Sequence, residues 1–205
     1  LYDHGSAGLL QRLDLQGEAP PIRQRYWRVH AKQTLLATGA IEQPLVFEYN
    51  DRPGIMLAGA IRQYVNRYAV AVGRHIVFAT NNDSAYLAAL DLVAASVPVQ
   101  LLVDSRAQAP AQLAGWLRAQ GVEVRAGTTV VKSLGKKDMR GVLLNTGETI
   151  ECDALGMSGG WAPAVHLYSQ ARAPLAFDEA RQSFVPSSSK PPLLAAGALA
   201  GRITL

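Results

Sequence analysis

Cysteine is almost absent from this chain of 205 residues, which carries Cys152 alone. One cysteine excludes an internal disulfide framework and any metal site built from several cysteines, and it suits a reducing compartment such as the cytoplasm. The patterns H-E-x-x-H and G-x-S-x-G, a Walker loop and paired metal-ligand spacings are also missing. A self-contained metalloprotease, hydrolase or kinase is therefore not expected. We predict no metal ion and no catalytic residue in this chain.

Long apolar runs are missing too, because Gly, Pro or a charged residue interrupts each one well short of the roughly 20 residues that a membrane span needs. The chain is nevertheless 49% hydrophobic, so it can bury a core and form one large or two small domains. It starts at Leu1, without the basic and apolar regions of a signal peptide. We interpret it as a piece of a longer, soluble protein.

Positive charge is in excess, +4 at pH 7, but the basic residues do not form one patch. Two groups of basic residues lie apart in the sequence, with acidic residues between them and no aromatic ladder: Arg23, Arg25, Arg28 and Lys32, then Lys132, Lys136, Lys137 and Arg140. This distribution argues against nucleic-acid binding and indicates solvated surface. A patch that faces an acidic partner subunit is the alternative.

Turn signals and hydrophobic periodicity predict a compact β-α-β unit in the middle of the chain. Its parts are a strand over residues 75–80, a helix over 84–95 and a second strand over 99–103. Asn82 or Asp83 is the expected N-cap of the helix. This arrangement is typical of Rossmann-like α/β folds.

Further elements flank this unit. The turn at residues 50–54 precedes a helical repeat that starts at Ile55 and ends before Gly73. A second helix is expected over residues 110–120, because Gly121 ends its pattern. Short strands are expected at residues 122–125, 129–134, 141–145 and 148–151, and we interpret them as a sheet strand and a small β-meander.

Two short apolar strands each end near a glycine. Residues 34–37 precede Thr38-Gly39, and residues 193–196 precede Gly197-Ala198. Glycine lets backbone N–H groups approach a pyrophosphate, so the two strand ends predict the floor of one nucleotide site. A helix is expected after Gly197, with apolar side chains over a ring or ribose edge; packing of Ala198 against the sheet is the alternative. The predicted contacts are Thr38, Gly39, Gly197, Ala198, Ile203 and Leu205.

The loop inside the β-α-β unit lacks the pattern that binds a dinucleotide. Such loops have G-x-G-x-x-G or A, whereas Thr80–Ala85 matches only at its last position. Asn82 puts a side chain where phosphate should approach, and Asp83 adds a negative charge. Asp104 does stand where an acid would hold a ribose hydroxyl. We interpret the unit as a scaffold, with NAD binding at this loop as the alternative.

Several segments resemble the α subunits of heterotetrameric sarcosine oxidases. The first is Leu36–Glu42, and the second, Asn50–Ala60, follows closely. Further similar segments are Tyr2–Gly5, Thr80–Tyr86 and Ser158–Gln170, so the resemblance covers nearly the whole chain. It implies a fold related to the pyridine-nucleotide-disulfide reductases, with two dinucleotide-binding domains. Residues 1–70 and 152–205 would be part of a first, NAD-binding domain, and 71–151 an inserted domain with a degenerate glycine loop.

The resemblance also implies an activity for the complete enzyme. Sarcosine is oxidised by hydride transfer to FAD in a β subunit, electrons pass to FMN at the subunit interface, and oxygen is reduced to hydrogen peroxide. A C-terminal domain outside this segment uses tetrahydrofolate to capture the one-carbon unit. The segment itself would contribute NAD binding and subunit scaffold, and alone it would be inactive.

One position departs from the wider flavin-reductase pattern. Ala198 follows Gly197, where an Asp usually hydrogen-bonds the ribityl chain of the flavin. This departure argues against FAD at that site and for NAD. Alternatives are subunits of opine oxidases, amino-acid dehydrogenases or hydrogen cyanide synthase, which are similar in this region, or a structural module that binds no nucleotide.

Overall fold

The computed structural model of the protein describes residues 2–3, 6–13, 22–187 and 193–202. The chain divides into two compact units, an outer unit of residues 1–41 and 161–205 and a central unit of residues 42–160. The predicted boundaries lay at 70/71 and 151/152 instead. The boundaries differ because Ile55–Leu57 and Ala154–Ser158 are strands of the sheet in the central unit.

The elements of the described residues follow one another in three runs. The first run consists of β1 (Tyr2–Asp3), β2 (Ser6–Arg12), β3 (Gln24–His30), β4 (Thr34–Leu36) and β5 (Ala40–Glu42). The second consists of β6 (Ile55–Leu57), α1 (Ala58–Tyr68), β7 (Ile76–Thr80), α2 (Ser84–Ala94), β8 (Val99–Asp104), α3 (Ala111–Ala119), β9 (Glu123–Ala126), β10 (Val130–Gly135), β11 (Met139–Leu144), β12 (Thr149–Glu151) and β13 (Ala154–Ser158). The third consists of β14 (Trp161–Pro163), α4 (His166–Gln170), β15 (Leu175–Asp178), β16 (Ser183–Pro186), β17 (Leu193–Ala195) and a 3-10 helix (Gly197–Ala200). No helix among these residues is long and apolar enough to cross a membrane.

A parallel sheet of five strands, in the order β6-β13-β7-β8-β9, forms the middle layer of the central unit. Strands β7 and β13 are buried at every position, as expected for parallel strands covered on both faces. Helices α1, α2 and α3 contribute Ile61, Leu92 and Leu117 to the apolar layer on one face. The unit therefore has a Rossmann-like architecture, and the predicted β-α-β unit is β7-α2-β8.

The other face of this sheet is covered by the antiparallel sheet β10-β11-β12. Met139 and Val142 of β11 pack there with Val77 and Leu155 of the parallel sheet. Cys152 belongs to the same apolar cluster, and its burial raises the pKa of the thiol to about 12. The single cysteine is therefore a packing residue that stays protonated at neutral pH.

The helix predicted from Ile55 begins later, at Ala58. Residues Ile55–Leu57 instead form β6, which lies parallel to Leu155–Met157 of β13. A short apolar run fits a strand and a helix equally well in sequence. The pairing with a strand far along the chain therefore decided its structure, and the prediction for these three residues was wrong.

The outer unit contains several small sheets. Strands β1, β2 and β3 form an antiparallel sheet, β15 pairs with β16, and β4 pairs in parallel with β17. Leu36 of β4 and Leu193 of β17 lie in one apolar cluster with Tyr168 and Leu199. Tyr168 is only 1% exposed, so it is a packing residue.

Candidate dinucleotide site

The two glycine-ended strands of the sequence are neighbours in the structure. Strand β17 lies parallel to β4, with Leu193 opposite Thr34 and Ala195 opposite Leu36. The Ala196 N–H donates a hydrogen bond of 2.9 Å to the Leu36 carbonyl oxygen. Because the strands are parallel and in register, the segments that follow them leave the same edge of the pair.

Both glycines adopt backbone conformations that disfavour side chains. The φ angle is +77° at Gly39 and +63° at Gly197, in the left-handed region that other residues rarely occupy. A Cβ atom at either position would meet no heavy atom within 4 Å. Steric crowding within the described residues therefore does not account for these glycines. Their conformation does, and no described residue other than the chain neighbours lies within 4 Å of the position of the missing Cβ at either glycine.

Thr38 is fixed by the chain that returns from the central unit. Its Oγ1 donates a hydrogen bond of 2.8 Å to the Ala164 carbonyl oxygen, and the Ala164 N–H donates one of 2.9 Å to the Gly39 carbonyl oxygen. The two contacts hold Thr38-Gly39 in one conformation. Ala164 has this role through its backbone alone, so no side-chain signal in the sequence could have identified it.

The helix predicted after Gly197 is only a single 3-10 turn, Gly197–Ala200. Gly201 ends it in the left-handed conformation, with φ +77°, as glycines at helix ends commonly do. Ala198 lies in this turn and Leu199 is buried beneath it. Two further predicted contacts, Ile203 and Leu205, lie outside the described residues.

The degenerate loop of the β-α-β unit is occupied by its own side chains. Asn82 Nδ2 donates hydrogen bonds to the Ser158 carbonyl oxygen at 3.1 Å and to Ser158 Oγ at 3.0 Å. Asn82 Oδ1 accepts one of 3.0 Å from the Ser84 N–H, at the start of α2. The Asn82 side chain thus satisfies the helix N-terminus that would face a phosphate in an active loop.

Asp104, the acid at the ribose position, is fully buried and already occupied. It accepts hydrogen bonds from the Tyr86 hydroxyl at 2.8 Å, from the Arg106 N–H at 2.9 Å and from Arg106 Nη2 at 2.7 Å. Asp104 raises the pKa of Arg106, and burial together with Asp104 raises the pKa of Tyr86. Arg106 also pairs with Asp83 at 2.7 Å. The sequence analysis did not identify Arg106 as the partner of Asp104, although Arg106 follows it by only two residues.

Glu42, the last residue of β5, is a buried acid whose carboxylate contacts the first turn of α1. It is 8% exposed, and its Oε2 accepts a hydrogen bond of 2.9 Å from the Gly59 N–H. Burial raises the pKa of this carboxyl more than the hydrogen bonds with Ser158 and Gly59 lower it. The folded state therefore holds the Glu42 proton more tightly than the unfolded chain does.

This shift makes the stability of the central unit dependent on pH. Stability contributed by protonated Glu42 is present below the unfolded pKa, about 4.3, and is lost as pH rises through the higher folded pKa. We expect Glu42→Gln, which keeps an oxygen acceptor for Gly59, to remove this loss. Urea denaturation at pH 4 and pH 7 measures it: the variant should gain stability over wild type at pH 7 only. An equal difference at both pH values would contradict the interpretation.

The fold is similar to those of several solved oxidoreductases. The thioredoxin reductase of T. acidophilum superposes with a TM-score of 0.66 and 18% identity, over 86% of this chain and 60% of that one. The L-proline dehydrogenase of P. horikoshii gives 0.61 and 22%, over 85% of this chain and 31% of that one. The predicted Rossmann-like α/β fold class is therefore confirmed.

Within that class, the chain is similar to curated proteins named sarcosine oxidase subunit alpha. It is 41% identical to that of Corynebacterium sp. strain P-1 over 98% of this chain, and 43% identical to that of Rhizobium meliloti strain 1021 over 81%. It spans 22% and 17% of the length of these relatives. No protein-family profile matches the chain. The predicted resemblance to these oxidoreductase subunits is confirmed.

Proposed function

We propose that this chain is the dinucleotide-binding part of an α subunit of a multi-subunit flavoprotein oxidase of the sarcosine oxidase type. The similarity to the curated α subunits supports this proposal. The complete enzyme would oxidise sarcosine by hydride transfer to FAD in a β subunit, pass electrons through FMN at the interface, and reduce oxygen to hydrogen peroxide. Tetrahydrofolate would act in a further domain, and this segment alone would be inactive.

The observation that carries the proposal is the pairing of the two glycine-ended strands. Gly39 and Gly197 follow neighbouring parallel strands, and open space lies over both. In open α/β sheets, ligands bind outside the carboxyl ends of the strands. We propose that backbone N–H groups near these ends contact the pyrophosphate of NAD, with Thr38 and Ala198 beside them and Ile203 and Leu205 over its rings or riboses.

NAD is the proposed dinucleotide because Ala198 provides no carboxylate to receive a flavin ribityl chain. The outer unit would be the first nucleotide domain, and the central unit an insertion that serves as scaffold. The Asn82 and Asp104 networks support the scaffold role, because they occupy the phosphate and ribose positions of that unit. With the single cysteine, the subunit would work in the reducing environment of the cytoplasm.

A second candidate is a subunit of an amino-acid dehydrogenase. The likeness to the P. horikoshii L-proline dehydrogenase favours it, but at 22% identity this likeness concerns the fold. The curated relatives favour the sarcosine oxidase type at nearly twice that identity. Turnover of sarcosine against proline and opines by the reconstituted complex would separate the two candidates.

Changing Ala198 to Asp tests the proposed site. Calorimetric titration of NAD into the complete subunit should show affinity reduced by about tenfold or more, because a carboxylate near a phosphate at about 4 Å is repelled by about 4 kcal/mol at a protein surface. Ala200→Asp is the matched control, since Ala200 is exposed in the same 3-10 turn. It adds the same charge at a different position of the turn and should weaken NAD binding less than Ala198→Asp does.

Three other results would count against this assignment. Unaltered affinity in the Ala198→Asp subunit would remove Ala198 from the site. A large drop in the melting temperature without NAD would indicate a packing role. No saturable heat from the wild-type subunit would favour a structural module.

A further inference from the structure

Tyr49, in the central unit, has a strained backbone. Its φ angle is +59°, which for a bulky side chain is a rare and unfavourable conformation. The Ser133 hydroxyl donates a hydrogen bond of 2.7 Å to the Tyr49 carbonyl oxygen and so holds the backbone in this conformation. The side chain is not buried in return, because Tyr49 is 51% exposed. Strain that secures an exposed ring indicates that the position of the ring matters.

Two cations lie beside this ring. The Arg52 Cζ is 5.2 Å and the Lys132 Nζ 5.1 Å from the ring centroid, within the range of cation–π attraction. Lys132 also pairs with Glu48 at 2.9 Å, where both side chains are partly exposed. The ring thus holds a guanidinium and an ammonium close together on the surface.

Arg52 differs from four other arginines of the described residues. Arg62, Arg106, Arg125 and Arg181 each contact at least one carboxylate. Arg52 is partly buried; its Nη1 is itself a buried atom that has no acceptor among the described residues, and none of their carboxylates lies within 4 Å of the guanidinium. Gly135, with φ +135°, leaves it room: a Cβ there would lie 3.0 Å from Nη1. A partly buried guanidinium without a counter-charge is costly unless an anion pairs with it.

We propose that Tyr49, Arg52 and Lys132 form a binding site for an oxyanion, either a carboxylate or a phosphate group. A guanidinium fork beside an ammonium is the donor set that such groups prefer. The oxyanion pairs with Arg52 and Lys132, and it replaces Glu48 as the partner of the Lys132 ammonium. The site lies within the central unit and uses no residue of the proposed NAD site. A free phosphate compound and an acidic side chain of a partner protein offer the same chemistry.

Titration of the complete chain distinguishes these sources. Inorganic phosphate and a hexaglutamate peptide are added separately, and the arginine Nε–Hε signals are followed by NMR. We expect a saturable shift of the Arg52 signal with at least one of them, phosphate pointing to a small molecule and the peptide to a protein. The affinity should fall by about tenfold or more in Arg52→Gln, because a charge-assisted pair is lost.

Lys137→Gln is the matched control, because Lys137 is an exposed cation at the tip of the β10–β11 hairpin. It removes the same charge and should keep most of the affinity. Failure of both probes to bind, or an equal loss in both variants, would overturn the proposal.

Tyr49→Asn separates binding from folding. Asn adopts positive φ readily, so this variant should melt at the same temperature as wild type or higher, while its oxyanion affinity falls several-fold because the ring no longer positions the cations. A lower melting temperature with unchanged affinity would show that Tyr49 is structural and would overturn its place in the site.

Discussion

Replacing Asp104 by alanine is expected to destabilise the central unit by about 3–5 kcal/mol. Its carboxylate is fully buried at the end of β8, and its removal leaves the Tyr86 hydroxyl and the Arg106 guanidinium without their main acceptor. The Tyr86 hydroxyl and the Arg106 N–H each lose their acceptor, and a buried donor left unsatisfied costs about 1–3 kcal/mol, whereas the Arg106 guanidinium, 35% exposed, keeps its pair with Asp83. Urea denaturation at neutral pH gives the loss directly.

Asp91→Ala is the matched control for this change. Asp91 also pairs with an arginine, Arg62, but both side chains are substantially exposed, at 30% and 44%. Exposed pairs contribute at most about 1 kcal/mol, so the control should lose far less. Similar losses of unfolding free energy in the two variants would mean that the buried contacts of Asp104 do not stabilise the central unit more than an exposed ion pair does.

Replacing Gly156 by alanine is expected to cost about 1–3 kcal/mol, the usual range for overpacking a core. Gly156 lies in the middle of β13, where a Cβ would approach Phe78 Cε1 to 2.4 Å and Ile61 Cδ1 to 3.1 Å. Phe78 and Ile61 are themselves fully buried, so neither can move aside without disturbing the layer between α1 and the sheet. The melting temperature should fall accordingly.

Gly115→Ala is the control for Gly156→Ala: it makes the same chemical change, but we expect it to raise the stability and not lower it. Gly115 lies inside α3, and a Cβ there would meet no atom within 4 Å. Alanine is favoured over glycine in a helix by about 1 kcal/mol, so this variant should be slightly stabilised. A stabilised Gly156→Ala variant would show that β13 and α1 separate more easily than their packing indicates.

The sequence was most informative where local patterns and tertiary structure agree. The strand over 75–80, the helix over 84–95 and the strand over 99–103 were predicted from periodicity and appear with almost these bounds. Continuous apolar runs and clear turns specify such elements without help from distant residues. The two glycine-ended strands were also predicted, because the role of glycine at a strand end is local chemistry.

Elements that depend on distant partners could not be predicted. Strand β5 exists because Ala40–Glu42 pairs with β14, and the β15–β16 hairpin and α4 are too short for a periodic signal. Asn82 was expected to block phosphate, but its hydrogen bonds to Ser158 require that β13 lies beside β7. The positive φ of Tyr49 has no sequence signal, since tyrosine is not a residue that favours it.

The two ends of the central unit are hydrogen-bonded to each other. The Gln43 N–H donates a hydrogen bond of 2.8 Å to the Gly160 carbonyl oxygen, and the Gly159 N–H donates one of 2.7 Å to the Gln43 carbonyl oxygen. A module that enters and leaves its host at one point can be exchanged, deleted or circularly permuted with a short linker. Deletion of residues 42–160 therefore leaves only one junction to repair in the chain, between residues 41 and 161.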